Sequence, residues 1–348
     1  MSSSAQKDRT ERGRAAEASP DAETTAFDRR TVLVGAGIAT LLGMAGIPTS
    51  DAAVASGTTF DLNAPAQNLF YKRRARDATV MQGHAFDDSK GVLYVAQLME
   101  SGRQLPGESA PVSGSQRAEN GDICVSRLSY GGSLLSWMYL RGFGHPTAMG
   151  VESAGGYSYL WLGTASVPNG SGGGYGTRVG RVRFVPGGVV TYGSSAIEVH
   201  TPVSGARGVT VSFDRQNRTL LVRYHLSDNL PRYRQYRLDS FRARNYDYLH
   251  SRVETGISDT FQGHTHFYDQ VYRLEGRAGG VTTAPTHLSR FNLSTGTMAQ
   301  RVVTKAGSSL TFREPEGLSV RLGPPRLHMG FADGTIGARN FSLYYKSL

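Results

Sequence analysis

The 348-residue sequence has a single cysteine, Cys124, and no long apolar run beyond its N-terminal segment. One cysteine excludes an intramolecular disulfide. The sequence also lacks a basic cluster with interleaved aromatic residues, which would favour DNA or RNA binding. A net charge of +10 at pH 7 favours an acidic partner instead. We therefore expect a monomer with an anionic polysaccharide or wall polymer as its partner, no nucleic acid, and no stable membrane span.

Residues 1–55 are predicted to be an export signal with a polar head. Asp28-Arg29-Arg30 precedes an uncharged apolar run that ends near Gly46, and Ala53-Val54-Ala55 offers a small-residue cleavage site. Twin arginines before such a run are typical of Tat export, and the run is short for a transmembrane span. An uncleaved lipid-facing anchor is the alternative. We expect residues 56–348 to form one extracellular domain.

The rest of the chain shows an all-β pattern with an internal repeat. Short alternating runs are separated by Gly, Asn-Gly, Asp and Pro turns, and no convincing long helix is present. Five segments begin alike, at residues 81, 144, 206, 261 and 313: MQGHAFDDSKGVLYVAQ, GHPTAMGVESAGGYSYLWLG, ARGVTVSFDRQNRTLLVR, FQGHTHFYDQVYRLEG and REPEGLSVRLGPPRLHMGF. Aligning His84, His145, Arg207, His264 and Glu316 gives spacings of 61, 62, 57 and 52 residues.

This repeat predicts a five-bladed β-propeller with four-stranded blades. The first unit has four clear strands: TVMQGHAF, GVLYVAQ, DICVSRLSY and SLLSWMYL. The fifth has only three, so we expect an N-terminal strand, around TTFDL or LFYKRR, to complete the last blade. A two-sheet sandwich is the structural alternative, but it does not explain the repeat.

The first strand of each blade is expected to line the central channel, where polar side chains would converge. Because side chains alternate along a strand, Gln82 and His84 share a face, as do Gln262, His264 and His266. Unpartnered burial of these groups would be costly, so we expect a solvated channel mouth that holds a ligand.

Five stretches of the chain carry a resemblance to a known family: MQGHAFDDSKGVLYVAQ, DICVSRLSYGGSLLSWMYLRGFGHPTAMGVE, RVRFVPGG, FQGHTHFYDQVYRLEG and FREPEGLSV. They resemble the TagC-like (teichoic acid biosynthesis protein C-like) β-propellers, whose propeller is also similar to that of phage receptor-binding proteins. The resemblance covers residues 75–348 and implies the propeller fold and an association with carbohydrate or wall polymer. A looser resemblance to propeller polysaccharide lyases implies a divalent cation (Ca, Mn or Mg) held by three ligands: Gln262, His264 and His266.

The residue inventory favours β-elimination at a uronate, which needs a base, an acid and a group that neutralises the carboxylate. We assign the catalytic roles, proton transfer and carboxylate binding, to His84, His145, His264, Arg223 and Tyr224. Substrate contacts are assigned to Gln82, Arg207, Glu316 and Tyr268. Each of these residues also has a purely structural interpretation, such as a strand-end or turn role.

Three other functions stay open at this stage. A glycoside hydrolase would need two opposed carboxylates, but Glu314 and Glu316 share one strand and Glu152 lies in another unit. A non-catalytic propeller that binds teichoic acid or a related wall polymer would explain the charge without chemistry. An exported tailoring enzyme of secondary metabolism is the third.

Overall fold

The computed structural model describes residues 58–257 and 259–348. The predicted export signal at residues 1–55 lies outside the described residues. Within them, five sheets of four or five strands follow one another along the chain. The first strand of each sheet lies against the first strands of its neighbours, so the sheets form a ring. The structure confirms the predicted five-bladed β-propeller.

The first two blades contain most of the irregular elements. The chain enters through β1 (Gln67–Arg73). Blade one contains β2 (Met81–Asp87), β3 (Val92–Leu98), the helix α1 (Gly114–Asn120), β4 (Ile123–Ser129) and β5 (Leu134–Arg141). Blade two contains β6 (Gly150–Ala154), β7 (Tyr157–Thr164), the short hairpin β8 (Val167–Pro168) and β9 (Gly174–Tyr175), then β10 (Arg178–Arg183), β11 (Val189–Thr191) and β12 (Ile197–His200). β11 crosses back and pairs in parallel with β5, which gives blade one a fifth strand.

The last three blades are more regular. Blade three contains β13 (Arg207–Asp214), β14 (Thr219–His225), β15 (Pro231–Arg237), the helix α2 (Leu238–Arg242) and β16 (Tyr248–Val253). Blade four contains β17 (Phe261–Phe267), β18 (Gln270–Glu275), β19 (His287–Asn292) and β20 (Met298–Val303). Blade five contains β21 (Glu314–Arg321), β22 (Arg326–Asp333) and β23 (Asn340–Ser347). Neither helix in the described residues is long and apolar enough to span a bilayer.

Burial along the strands explains their sequence patterns. Inner strands such as β3 are buried along almost their whole length, because both faces of each sheet pack on a neighbouring blade. Outer strands such as β20 alternate between exposed and half-buried positions. The apolar cores therefore lie between blades, as in the cluster that joins Tyr94 and Val125 of blade one to Leu160 of blade two.

The ring closes through both ends of the propeller, as predicted. β1 pairs antiparallel with β23, and the order in this sheet is β1-β23-β22-β21. Phe70 of β1 is buried and meets Phe341 edge to face, with ring centroids 5.4 Å apart. Of the two segments proposed for this strand, LFYKRR is the one that pairs. TTFDL instead inserts Phe60 against Phe267 and Tyr272 of blade four.

The propeller has two unlike faces. The first strand of every blade starts on one face, called the upper face here, and ends on the lower face. The long connections 99–122, 142–149, 165–177, 276–286 and 304–313 lie on the upper face. Most connections on the lower face are turns of a few residues, such as 88–91 and 155–156, although 184–196 and 238–247 are longer. Binding residues in proteins concentrate on long loops held by a rigid scaffold, which directs attention to the upper face.

Candidate functional site

The central axis is closed near the upper face by backbone rather than lined by side chains. Gly83, Gly263 and Gly317 meet there with the backbone of Thr147. A Cβ placed on Gly317 would lie 2.8 Å from the Cα of Gly83, and one on Gly263 would lie 2.8 Å from the carbonyl oxygen of Thr147. Nearer the lower face the axis holds a cavity of about 20 Å³, room for about one water molecule.

The expectation of a ligand-sized channel is therefore wrong for the described residues. The physical reason lies in the packing of the blades. The two faces of each sheet are covered by the neighbouring sheets, so the side chains of the first strand point sideways into the contacts between blades. The alternation of side chains along a strand correctly predicts which residues share a face of the sheet. That face packs against a neighbouring blade and does not line the axis.

His84 lies in the contact between blades one and five. It is fully buried, and within the described residues neither ring nitrogen has a hydrogen-bond partner. Phe86 separates it from His328, with ring centroids 6.1 Å from His84 and 4.5 Å from His328. Burial lowers the pKa of His84 to about 3, so it is neutral at physiological pH.

His264 and His266 lie in the contact between blades three and four. Nε2 of His264 is 3.0 Å from the Thr210 hydroxyl. His266 is held at both nitrogens, with Nδ1 2.8 Å from the Ser212 hydroxyl and Nε2 2.9 Å from that of Thr219. Burial lowers the pKa of His266 to about 4. The pKa of His264 lies well below its usual value because of burial and then the nearby positive charge of Arg223.

The three predicted metal ligands are thus engaged with protein groups. Gln262 Nε2 donates to the Gly276 carbonyl at 3.0 Å, and three of the four histidine nitrogens contact hydroxyls of blade three. Among the described residues, Nδ1 of His264 has no hydrogen-bond partner. Coordination through Nε2 of His264 or either nitrogen of His266 would require breaking these contacts. The arrangement ties blade four to blade three.

A different cluster in the described residues has the spacing of a metal site. Ligand atoms of Asp259, Glu275 and His287 all lie within 4.8 Å of one another. However, Arg301 bonds both carboxylates, reaching Glu275 at 3.0 Å. The Ser289 hydroxyl donates to the other Glu275 oxygen at 2.8 Å. A divalent cation would have to displace Arg301. No short sequence motif links these residues, so the repeat did not reveal them.

The upper face brings His145 and Gln82 together. The segment before β6 presents the His145 ring to solvent, where Nε2 contacts Oε1 of Gln82. The backbone is fixed because His145 N–H donates to the Gly174 carbonyl at 3.0 Å. Desolvation by the surrounding protein lowers the pKa of His145 to about 4, so the ring is neutral at physiological pH. His145 is the predicted catalytic histidine that a ligand can reach.

A cavity of about 520 Å³ adjoins Gln82 on this face. It lies between the upper ends of β2 and β3 and the loop 334–339 of blade five. Its wall mixes apolar and polar groups: Ala78, Thr79, Val80, Gln82, Leu98, Met99, Glu100, Ser101, Gly114, Ile336, Gly337 and Arg339. Ile336 is 91% exposed at its rim. Burial raises the pKa of nearby Glu314, and the positive charge of Arg339 opposes this shift.

The repeat did not predict this cavity, since Glu100, Ile336 and Arg339 lie on connections rather than on the aligned strands. The sequence feature that could have indicated the cavity is Ile336, an apolar residue in the polar loop GTIGAR.

The remaining predicted residues are dispersed. Arg207 is half-buried at the upper face and donates to the Leu226 carbonyl at 2.9 Å. Arg223 is buried with its guanidinium 3.8 Å from the Phe261 ring centre. Tyr224 belongs to the apolar core at the contact between blades two and three. Tyr268 follows β17 and therefore lies on the lower face.

The carboxylates do not form an opposed pair at a surface. Glu316 is buried, one of its oxygens has no hydrogen-bond partner in the described part of the chain, and burial raises its pKa well above the usual value. Glu152 is buried in an ion pair with Arg181 at 2.8 Å and accepts from the Trp161 indole at 3.0 Å. This arrangement gives the hydrolase alternative no support.

The fold and this site define a five-bladed β-propeller with a cavity on its long-loop face. No protein-family model matches the chain. The chain is 29% identical over 102 residues to the "Putative major teichoic acid biosynthesis protein C" of Bacillus subtilis (strain 168), a match that covers 29% of this chain and 20% of that protein. The chain thus matches about a fifth of the length of this curated relative.

Among solved structures, the tail fiber of Staphylococcus aureus phage P68 superposes with a TM-score of 0.62 at 17% identity, covering 83% of this chain and 54% of that one. The GH43_1 enzyme from Xanthomonas citri superposes over 80% of this chain and 89% of its own, with 12% identity and a TM-score of 0.42, too distant to relate the two folds. The match to the teichoic acid protein and the tail-fiber superposition confirm the resemblance predicted from the sequence.

Proposed function

We propose that this chain is an exported, monomeric propeller that binds an anionic glycan or wall polymer at its upper face. The observation that carries the proposal is the 520 Å³ cavity lined by Gln82, whose side chain contacts exposed His145. The similarity to a protein named for teichoic acid biosynthesis supports a polymer of this kind.

The chemistry of the cavity suits a sugar. Val80, Leu98 and Ile336 offer apolar surface for the C–H face of a ring, while Gln82 and Glu100 offer hydrogen-bonding groups for hydroxyls. Arg339 and the net charge of +10 favour an anionic chain over a neutral one.

The test compares binding of purified protein to a panel of uronate polymers and isolated wall polymers. Ile336→Ser removes the exposed apolar contact and is expected to weaken binding about tenfold. Leu135→Ser is the matched control, since Leu135 is also exposed but lies on β5, away from the cavity. His145→Asn is expected to weaken binding by a similar factor through the lost polar contact. Equal affinities for wild type, Ile336→Ser and Leu135→Ser would overturn the proposal.

A second candidate, β-elimination at a uronate, is favoured by the accessibility of His145. A neutral imidazole can accept the proton α to the carboxylate as the bond to the leaving oxygen breaks and the unsaturated uronate forms; the imidazolium or water then gives a proton to the leaving oxygen. Of the two predicted arginines, Arg207 lies on the upper face and would hold the carboxylate. The buried positions of His84 and His264 do not favour them as bases.

This candidate is tested by absorbance of the unsaturated uronate, with and without Ca²⁺, Mn²⁺ or Mg²⁺. Catalysis predicts a signal that His145→Asn abolishes while the folded state is retained. Tight binding with no absorbance change on any polymer would support the binding function and exclude lyase activity.

A further inference from the structure

A basic cleft lies between blades one and two at the lower face, opposite the His145 site. It has a volume of about 200 Å³ and is lined by Lys90, Tyr94, Arg127, Tyr157, Ser158, Arg183, Phe184, Val185 and Pro186. Lys90 comes from the short turn after β2, Tyr157 begins β7, and Arg183 ends β10. We propose that this cleft is a second site, which binds an oxyanion, phosphate or carboxylate, carried on a sugar or polyol.

The positive charge in the cleft is not neutralised by the protein. Within residues 58–257 and 259–348, Lys90, Arg127 and Arg183 form no salt bridge with a carboxylate. Lys90 Nζ donates to the Gly156 carbonyl at 2.6 Å, and the buried Nε of Arg127 has no hydrogen-bond partner there. Arg181, on the same strand as Arg183, is by contrast paired with Glu152 at 2.8 Å.

Asp87, the carboxylate bonded to Ser158 of the cleft, is already occupied by hydroxyl groups. Asp87 accepts hydrogen bonds of 2.6 Å from the hydroxyls of Ser89, Ser153 and Ser158. Asp87 is fully buried, and of these three serines it is Ser158 that lines the cleft. The Asp87 carboxylate is therefore satisfied by serine hydroxyls and forms no salt bridge with the cations of the cleft.

Aromatic rings orient the two guanidinium groups. Arg183 lies 4.6 Å from the Tyr157 ring centre, and Arg127 lies 6.0 Å from that of Phe184. Stacking of this kind leaves the guanidinium edges free to donate to an oxyanion. Tyr157 and Val185 are exposed beside these groups and offer apolar surface to the carbon skeleton of the ligand. The volume suits one anionic residue of a chain.

The test is calorimetric titration of the full chain at low salt with three probes: inorganic phosphate, glycerol phosphate and glucuronate. Arg183→Gln and Lys90→Gln are each expected to weaken binding about tenfold, the effect of one charge-assisted hydrogen bond. Both residues are exposed, and melting temperature verifies folding. Arg178→Gln is the control, because Arg178 is an exposed arginine on the same strand that bonds Tyr192 at 3.2 Å.

Saturable binding that weakens in Arg183→Gln but not in Arg178→Gln supports the site, and the preferred probe identifies phosphate or carboxylate as the ligand group. Absence of saturable binding for all three probes, or equal weakening by Arg178→Gln, overturns it. The comparison of Arg183→Gln with Arg178→Gln involves no residue of the upper-face site. The lower-face proposal can therefore be supported or overturned independently of the proposed upper-face function.

Discussion

At the scale of single residues, the buried histidines make the stability of the contacts between blades depend on pH. His84, His264, His266 and His328 are fully or almost fully buried, and burial lowers the pKa of each. In the unfolded chain each would titrate near pH 6.5. Between the folded and unfolded pKa values the unfolded state binds more protons, so protonation favours unfolding.

His266→Gln should therefore flatten the dependence of stability on pH. The pKa of His266 in the folded state is about 4. Its protonation in the unfolded state therefore does not change the unfolding free energy of the wild type above pH 7 and lowers it by about 2 kcal/mol at pH 5. Urea unfolding of both proteins at pH 7 and pH 5 measures these values. If the loss of stability between the two pH values is as large in His266→Gln as in the wild type, the assignment is contradicted.

Glu316→Gln should show the opposite trend. The pKa of Glu316 is raised by burial and then by the charge of Glu314, so the folded state retains a proton and this stabilising contribution is lost as pH rises through the folded pKa. Glutamine does not titrate, and its advantage over glutamate is expected to grow from pH 5 to pH 8. Urea unfolding of both proteins at the two pH values measures this difference; a constant difference would refute it.

At the scale of elements, the sequence repeat was informative about strands and less so about side-chain direction. It predicted the five blades and the closing strand β1, because both follow from strand count and spacing. It misplaced His84 and His264, because alternation shows which residues share a face but not what that face meets. Both faces of an inner strand are buried in this propeller, so the burial expected from the sequence does not show which blade a side chain contacts. The upper-face cavity depends on how the loop 334–339 is placed against blade one, which no local pattern encodes.

β1 should be essential for stability. Phe70→Ala removes a buried ring from the closing blade and is expected to cost about 3 to 5 kcal/mol in urea unfolding. Tyr71→Ala is the control, since Tyr71 is the next residue and is exposed; its effect should stay within about 0.5 kcal/mol. Similar losses in the two variants would show that β1 does not close the ring through Phe70.

The N-terminal segment carries the export prediction. Replacing Arg29 and Arg30 together by lysine should abolish appearance of the protein outside the cell, because the twin arginines are the part of the signal that the Tat system reads. Immunoblotting of culture medium and cell extract measures the effect. Unchanged secretion of the double-lysine variant would exclude Tat export.

At the scale of the whole molecule, a closed axis and two unlike faces replace the predicted open channel. A glycan cannot pass through a ring whose axis is filled by Gly83, Gly263 and Gly317. It can lie across a face, and the long connections and the 520 Å³ cavity favour the upper face. A basic chain with a sequence pI near 9.8 should bind an acidic polymer less tightly as salt screens the attraction.

A crystal structure of the protein with an oligosaccharide of the polymer that binds best tests the central claim most directly. We predict density for at least one sugar residue in the cavity between Gln82, Glu100 and Ile336, in contact with His145. Density confined to other surfaces, with this cavity holding only solvent, would contradict the proposed upper-face function.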